Sequence, residues 1–68
     1  MDLKELGLKI AKIRTARGIS AYELSLRIGK DTSYFYKVEG GKVNVSFTVL
    51  NDICKALEIE LSELLAKK

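Results

Sequence analysis

The 68-residue chain has no histidine, no proline and a single cysteine, Cys54. Without an imidazole there is no His-based acid–base catalysis, and one thiol with no imidazole excludes most zinc sites. A lone cysteine also leaves no disulfide to support the fold, as is typical of proteins in a reducing, intracellular setting. The sequence also shows no cluster of carboxylates that could do the work of histidine or cysteine in a catalytic site. We therefore expect that the protein is not an enzyme and binds no cofactor. We interpret Cys54 as a buried packing residue of a helix.

Long apolar runs are also missing from the sequence. No stretch approaches the roughly 18 residues of a membrane span. The N-terminal MDLKEL lacks the basic-then-apolar pattern of a signal peptide. We therefore expect a cytoplasmic protein without membrane contact. Residues 1–68 fit one small domain, which would bury only about 60% of its unfolded surface.

The charge is unevenly distributed. The net charge is +3, from 12 Lys and Arg and 9 Asp and Glu. Between Lys9 and Lys42 there are eight basic and three acidic residues, a net charge of +5, whereas residues 43–68 carry three basic and four acidic residues, a net charge of −1. A basic middle segment is typical of polyanion binding, but a solvated lysine-rich surface would look the same.

Apolar residues recur every three or four positions almost throughout the chain, which predicts an all-α fold. Five segments show this pattern: DLKELGLKIAKIRTARG, ISAYELSLRIG, DTSYFYKVEGG, SFTVLNDICKALE and ELSELLAKK. Only Lys30 separates Gly29 from the start of the third segment. Two short helices joined by so tight a turn must cross steeply.

Each of the first four segments has, at or next to its start, a residue that caps helices well: Asp2, Ser20, Asp31 and Ser46. In the second segment, Ser20 and Glu23 have the spacing of a capping box, in which each side chain accepts a hydrogen bond from the other's backbone N–H. The predicted apolar face of the fourth segment consists of Phe47, Leu50, Ile53 and Leu57. Gly7 is expected to weaken the first helix by up to about 1 kcal/mol.

A helical wheel of the third segment separates an inner face from an outer face. At 100° per residue, Phe35 and Val38 point towards the core and Tyr34 lies on the flank. The outer face consists of Thr32, Ser33, Tyr36 and Lys37. Small hydroxyls near a helix N-terminus and a lysine one turn later suit the base edges of a DNA major groove. An ordinary solvent-exposed helix face has the same composition, so these residues alone leave the question open.

The order of the segments resembles the lambda-repressor-like (Cro-like or XRE) helix-turn-helix family. The resemblance runs from about Leu6 to Leu65. It rests on ISAYELSLRIGKDTSYFYKVEGGK, with ELS where the family has Glu-Leu-Ala, and on FTVLNDICKALEIELSELL. It implies a compact five-helix bundle with the helix-turn-helix at about residues 20–39. It also implies sequence-specific binding of double-stranded DNA by a small, repressor-like transcriptional regulator that acts as a homodimer.

Site residues follow from the resemblance by position. The base-reading positions are Thr32, Ser33, Tyr36 and Lys37, with the third helix in the major groove. The phosphate-contacting positions are Ser20, Ala21, Tyr22, Lys30, Lys42 and Asn44. Arg14 and Glu39 match an interhelical salt bridge, so we assign both residues to structure.

The sequence departs from the family at several positions. Ala21 stands where many relatives have a glutamine that contacts the DNA backbone. Glu58 stands where glycine is frequent, and a left-handed conformation there would cost about 1–2 kcal/mol. The missing glutamine at position 21 keeps an alternative open, namely a protein-interaction module of the same fold, such as an antitoxin-like or anti-repressor partner. Tyr36, Leu26 and the C-terminal helix would then bind the protein partner.

Overall fold

The computed structural model describes residues 1–66, and within this range it contains five helices and no strand. The helices are α1 (Leu3–Ala16), α2 (Ala21–Arg27), α3 (Thr32–Glu39), α4 (Phe47–Leu57) and α5 (Leu61–Leu65). The predicted all-α fold is therefore confirmed. The two lysines predicted to end the fifth helix, Lys67 and Lys68, lie outside the described residues.

The helices pack around one core at the centre of the bundle. α1 lies against α3 and α5, and α2 lies against α3 and α4. The largest fully buried side chains are Phe35, Ile10, Leu24, Ile53, Leu57 and Leu64. Because α3 contributes Phe35 and Val38 to this core, one side of α3 is fixed and the opposite side faces outwards.

Helix capping agrees with the sequence at three positions. The carboxylate of Asp2 caps α1 as predicted. Ser20 Oγ accepts from the backbone N–H of Glu23 at 3.0 Å. Ser46 Oγ accepts from the backbone N–H of Val49 at 3.2 Å. These bonds satisfy one of the free N–H groups at the start of α1, of α2 and of α4.

The capping box predicted for α2 is only half formed. The Glu23 side chain does not return to Ser20, because it pairs with Arg27 one turn later, at 2.6 Å between Oε2 and Nη2. Asp31 occupies the N-cap position of α3, but its carboxylate makes no capping hydrogen bond.

The apolar face of α4 is rotated from the prediction. Phe47 is 67% exposed, whereas Val49 and Cys54 are buried beside Ile53 and Leu57. The predicted burial of Phe47 is wrong. Val49, Ile53, Cys54 and Leu57 set the buried direction, and Phe47, in the first turn, lies about a quarter-turn from its centre. The interpretation of Cys54 as a buried packing residue is confirmed.

Gly7 has a packing role that its helix propensity does not reveal. A Cβ atom at this position would lie 2.3 Å from the carbonyl oxygen of Glu39 and 2.6 Å from that of Val38. Gly7 therefore allows the backbone of α1 to approach the C-terminal end of α3. The end of the helix that carries the outer face is held against α1 at this point.

The turn after α4 has the conformation that the family's glycine suggests. Glu58 has φ 59° and ψ 44°, which is left-handed, and it is the one non-glycine residue with positive φ among residues 1–66. A residue with a Cβ atom is strained in this conformation.

No helix within residues 1–66 combines the length and the apolar character needed to cross a membrane.

Candidate nucleic-acid interface

The outer face of α3 is exposed over most of its length. Ser33 and Lys37 are exposed, and so is Tyr36 one turn after the helix start. Tyr34 is half-buried on the flank, as the helical wheel predicts. Because Phe35 and Val38 anchor the opposite side in the core, the exposed side chains project from a fixed helix.

Thr32 lies at the edge of this face and is only partly exposed. Its Oγ1 atom is 2.9 Å from Oγ of Ser25, a residue of α2 that is fully buried. This hydrogen bond joins the two helices of the helix-turn-helix across their turn. The only sequence signal for this bond is Ser25 itself, which stands where the resembled family has alanine.

The start of α2 offers exposed groups on both sides of a buried residue. Ser20 and Tyr22 are exposed, whereas Ala21 is buried. The Ala21 side chain therefore packs in the core, and the backbone is all that this residue can offer to a phosphate.

Two lysines and an asparagine flank α3 at its two ends. Lys30 precedes the helix, and its Nζ atom lies 5.8 Å from the centre of the Tyr34 ring, within the range of a cation–π contact. Lys42 and Asn44, in the loop that follows α3, are both exposed. These residues occupy the positions at which we expect phosphate contacts.

The acidic residues near this surface are largely neutralised. Glu39 pairs with Arg14 and Glu23 pairs with Arg27. Lys30, Lys37 and Lys42 form no ion pair with any residue of the described chain, positions 1–66. Asp31 is the exception, because its exposed carboxylate precedes Thr32. The surface is therefore basic around α3, with one acidic group at the start of the helix.

Arg14 and Glu39 form the predicted interhelical salt bridge. Nε of Arg14 is 2.6 Å from Oε2 of Glu39, and Nη2 is 3.1 Å from Oε1. The hydrogen bonds that Arg14 donates to Glu39 raise the pKa of Arg14 by more than burial lowers it. The pair holds the end of α3 against α1 and contributes to the interface only through this positioning.

Comparison with known proteins identifies the architecture. A family model described as the Cro/C1-type HTH DNA-binding domain matches residues 9–67. The chain belongs to this family. The predicted resemblance, fold and function as a sequence-specific DNA-binding regulator are thereby confirmed. The family consists of DNA-binding regulators and is not a class of enzymes.

Several solved structures are similar to the chain. The restriction-modification controller protein C.AhdI from Aeromonas hydrophila is 38% identical, with a TM-score of 0.90, and the match covers 93% of this chain and 96% of that chain. The clp gene regulator ClgR from Corynebacterium glutamicum is 26% identical, with a TM-score of 0.90, and the match covers 91% of this chain and 66% of that chain.

A third similar structure is the complex of SinR protein and SinI protein. The matched chain of this complex is 27% identical, with a TM-score of 0.83, and the match covers 91% of this chain and 61% of that chain. No curated protein matches the chain.

Proposed function

We propose that this Cro/C1-type domain inserts α3 into the DNA major groove as a small, repressor-like regulator. The observation that carries the proposal is the exposed face of Ser33, Tyr36 and Lys37 on a helix anchored by buried Phe35 and Val38. In this placement Lys37 donates to guanine O6 or N7, and Ser33 contacts a neighbouring base. Thr32 contacts a base from the edge of the face, and Tyr36 contacts a thymine methyl group or a phosphate.

Phosphate contacts supply most of the affinity in this proposal. Lys30 and Lys42 carry positive charge at the two ends of α3, and Asn44 follows in the next loop. Ser20 and Tyr22 contact the backbone from the start of α2, with Ala21 offering its backbone N–H. Because these groups flank the base-reading face, they fix how deeply and in which direction α3 enters the groove.

We further propose that two copies bind a two-fold symmetric site. The described residues extend over 28 × 23 × 20 Å, whereas half-sites one helical turn apart are separated by about 34 Å. One copy therefore covers one half-site and cannot reach the second. Exposed Leu8 in α1 and Leu65 in α5, two helices that pack together, support an apolar contact between the copies.

The second candidate is a protein-interaction module. Leu26 and Tyr36 are both more than half exposed, and Leu65 of the C-terminal helix is also exposed. One similar structure is itself a complex of two proteins. Binding of a protein partner through α5 is compatible with DNA binding through α3. Under both candidates, we propose that residues 1–68 act as a single domain in the cytoplasm.

The proposal is tested by fluorescence anisotropy with DNA selected from a random pool, measured over a salt series. Binding should weaken linearly in a log–log plot against salt concentration. Lys42→Ala should weaken binding to all sequences alike and reduce the salt slope by about 1. Lys37→Ala should instead relax the preference at one base position, at a cost of about 1–3 kcal/mol for the preferred sequence.

Lys55→Ala is the charge-matched control. Lys55 is exposed in the last turn of α4, a helix that packs mainly on α2 and α5. This variant should change affinity less than either of the other two. A binding constant that does not depend on salt, or equal losses for all three lysine variants, would contradict the proposed interface.

A further inference from the structure

The direction of one hydrogen bond in the helix-turn-helix can be deduced from its neighbours. Ser25 Oγ lies 2.7 Å from the carbonyl oxygen of Tyr22 and 2.9 Å from Oγ1 of Thr32. A carbonyl oxygen has no hydrogen to give, so the bond at 2.7 Å requires Ser25 to donate. Because Ser25 is fully buried, no bulk water competes for this hydroxyl.

The single hydrogen of Ser25 is therefore committed to Tyr22. The bond between the two hydroxyls then has only one possible donor, which is Thr32. With its own hydrogen directed at Ser25, Thr32 Oγ1 presents only lone pairs to any further partner. Thr32 remains partly exposed in the first turn of α3, so such a partner can reach it.

We propose that Thr32 is an obligate hydrogen-bond acceptor in the DNA complex and that the buried Ser25 makes it so. In the major groove, the donors are the exocyclic amino groups, N6 of adenine and N4 of cytosine. Guanine and thymine present the acceptors O6, N7 and O4. Thr32 therefore selects adenine or cytosine on the strand it faces and rejects guanine and thymine. This inference rests on the proposed placement of α3 in the groove.

Asp31 reinforces the same polarity. Its exposed carboxylate makes no capping hydrogen bond and stands one residue before Thr32. An ionised carboxylate only accepts hydrogen bonds. The beginning of α3 therefore presents two acceptors in succession, which suits an amino group and disfavours a carbonyl oxygen.

Ser25→Ala removes the oxygen that accepts the hydrogen of the Thr32 hydroxyl. The change removes one buried oxygen and leaves the partly exposed Thr32 hydroxyl free to bond to water or to a base. The carbonyl of Tyr22 stays within α2. Ser25 is fully buried, so its own side chain does not contact a base.

The test is selection from a random double-stranded DNA pool with the full chain and four variants: Ser25→Ala, Thr32→Val, Thr32→Ser and Asp31→Ala. Wild-type protein should show, at one half-site position, about a tenfold preference for adenine or cytosine over guanine and thymine. Ser25→Ala should reduce this preference to about twofold or less, with the other positions unchanged. Thr32→Val, which keeps the shape but lacks the hydroxyl, should also lose it. Thr32→Ser, which keeps the hydroxyl, should retain it.

The outcomes separate the inference from the function on which it rests. Circular dichroism first establishes that the Ser25→Ala variant is folded. If this variant then enriches the same half-site as wild-type protein, Ser25 does not determine the hydrogen-bond direction of Thr32. In that case the inference fails while the proposed function stands. If Asp31→Ala removes the preference while Ser25→Ala does not, Asp31 is the reader and the inference again fails. If wild-type protein enriches no sequence, the proposed function fails as well.

Discussion

Arg14 in α1 and Glu39 at the end of α3 form a bidentate ion pair, with N···O distances of 2.6 and 3.1 Å. Nη1 of Arg14 also donates to the carbonyl oxygen of Ile19 at 2.9 Å, just before the cap of α2. One guanidinium therefore connects α1, the start of α2 and the end of α3. This connection sets the orientation of the helix-turn-helix relative to the first helix.

The Arg14–Glu39 pair should contribute far more to stability than the exposed pair in α2. The side chains of Arg14 and Glu39 are 13% and 11% exposed, whereas those of the α2 pair, Arg27 and Glu23, are 45% and 48% exposed. Glu39→Ala leaves a largely buried guanidinium without its partner, so we expect a loss of about 3 kcal/mol in the free energy of unfolding. Glu23→Ala should cost under about 1 kcal/mol. Urea denaturation of both variants tests this, and equal losses would contradict it.

Gly7→Ala should destabilise the protein although alanine is the better helix former. The new methyl group would meet the carbonyl oxygens of Glu39 and Val38, and these are backbone atoms that cannot rotate away. We expect a net loss of about 2 kcal/mol, because overpacking exceeds the gain of about 1 kcal/mol in helix propensity. Thermal unfolding measures the change. Lys12→Ala, at an exposed position of the same helix, should be nearly neutral.

Glu58→Gly should stabilise the protein. Glycine removes the steric cost of the left-handed conformation, about 1–2 kcal/mol, but it adds chain entropy to the unfolded state. The expected net gain is about 0.5–1 kcal/mol in the free energy of unfolding, measured by urea denaturation. Glu58→Ala keeps the Cβ atom and should give no such gain. A loss of stability in the glycine variant would contradict this account of the turn.

Cys54 should make stability fall as the pH becomes alkaline. Burial raises the pKa of the Cys54 thiol, and the nearby Glu63 and Glu60 act in the same direction. The raised pKa means that folding favours the protonated thiol. Its contribution is therefore complete below the ordinary thiol pKa and is lost as the pH rises towards the higher folded value.

The measurement is the difference in unfolding free energy between wild-type protein and Cys54→Ala at pH 7 and pH 10. The difference should shift in favour of the alanine variant at pH 10, since only the wild type must bury an ionisable thiol. All other ionisable groups are common to the two proteins, so their effects cancel in the difference. A difference that does not change with pH would show that the thiol is not buried in solution.

Local sequence signals predicted the elements of the fold well. The three-to-four-residue spacing of apolar positions indicated all five helices. Ser20 and Ser46 cap as expected because each bond involves residues three apart and needs no tertiary partner. The inward direction of Phe35 followed from the wheel, since α3 is short and carries few other apolar residues.

Tertiary contacts explain what the sequence did not reveal. Phe47 is exposed because the packing of α4 on its neighbours, and not its own composition, decides which side is buried. The Glu23 carboxylate pairs with Arg27 and does not complete the capping box, and residue spacing alone does not predict which partner it takes. The sequence predicts only that Gly7 weakens α1, because the approach of the α3 carbonyls is visible only in three dimensions.

Some features of the proposed interface were predictable from the sequence, and others depend on tertiary contacts. Ser33 and Lys37 are exposed as the helical wheel predicted. The hydrogen bond from Thr32 to Ser25 depends on how α2 crosses α3, which the sequence constrains only to a steep angle. The roles of the individual residues in contacting DNA remain predictions of the resemblance.

The most direct test of the central claim is an NMR titration of the ¹⁵N-labelled protein with its selected DNA duplex. Amide signals of residues 32–37 should shift most, accompanied by those of residues 20–22 and 42–44, while Lys55 and Glu58 stay nearly unchanged. Intermolecular NOEs should join the Lys37 side chain to base protons in the major groove. Shifts confined to α1 and α5, with α3 unaffected, would contradict the claim that the outer face of α3 reads DNA.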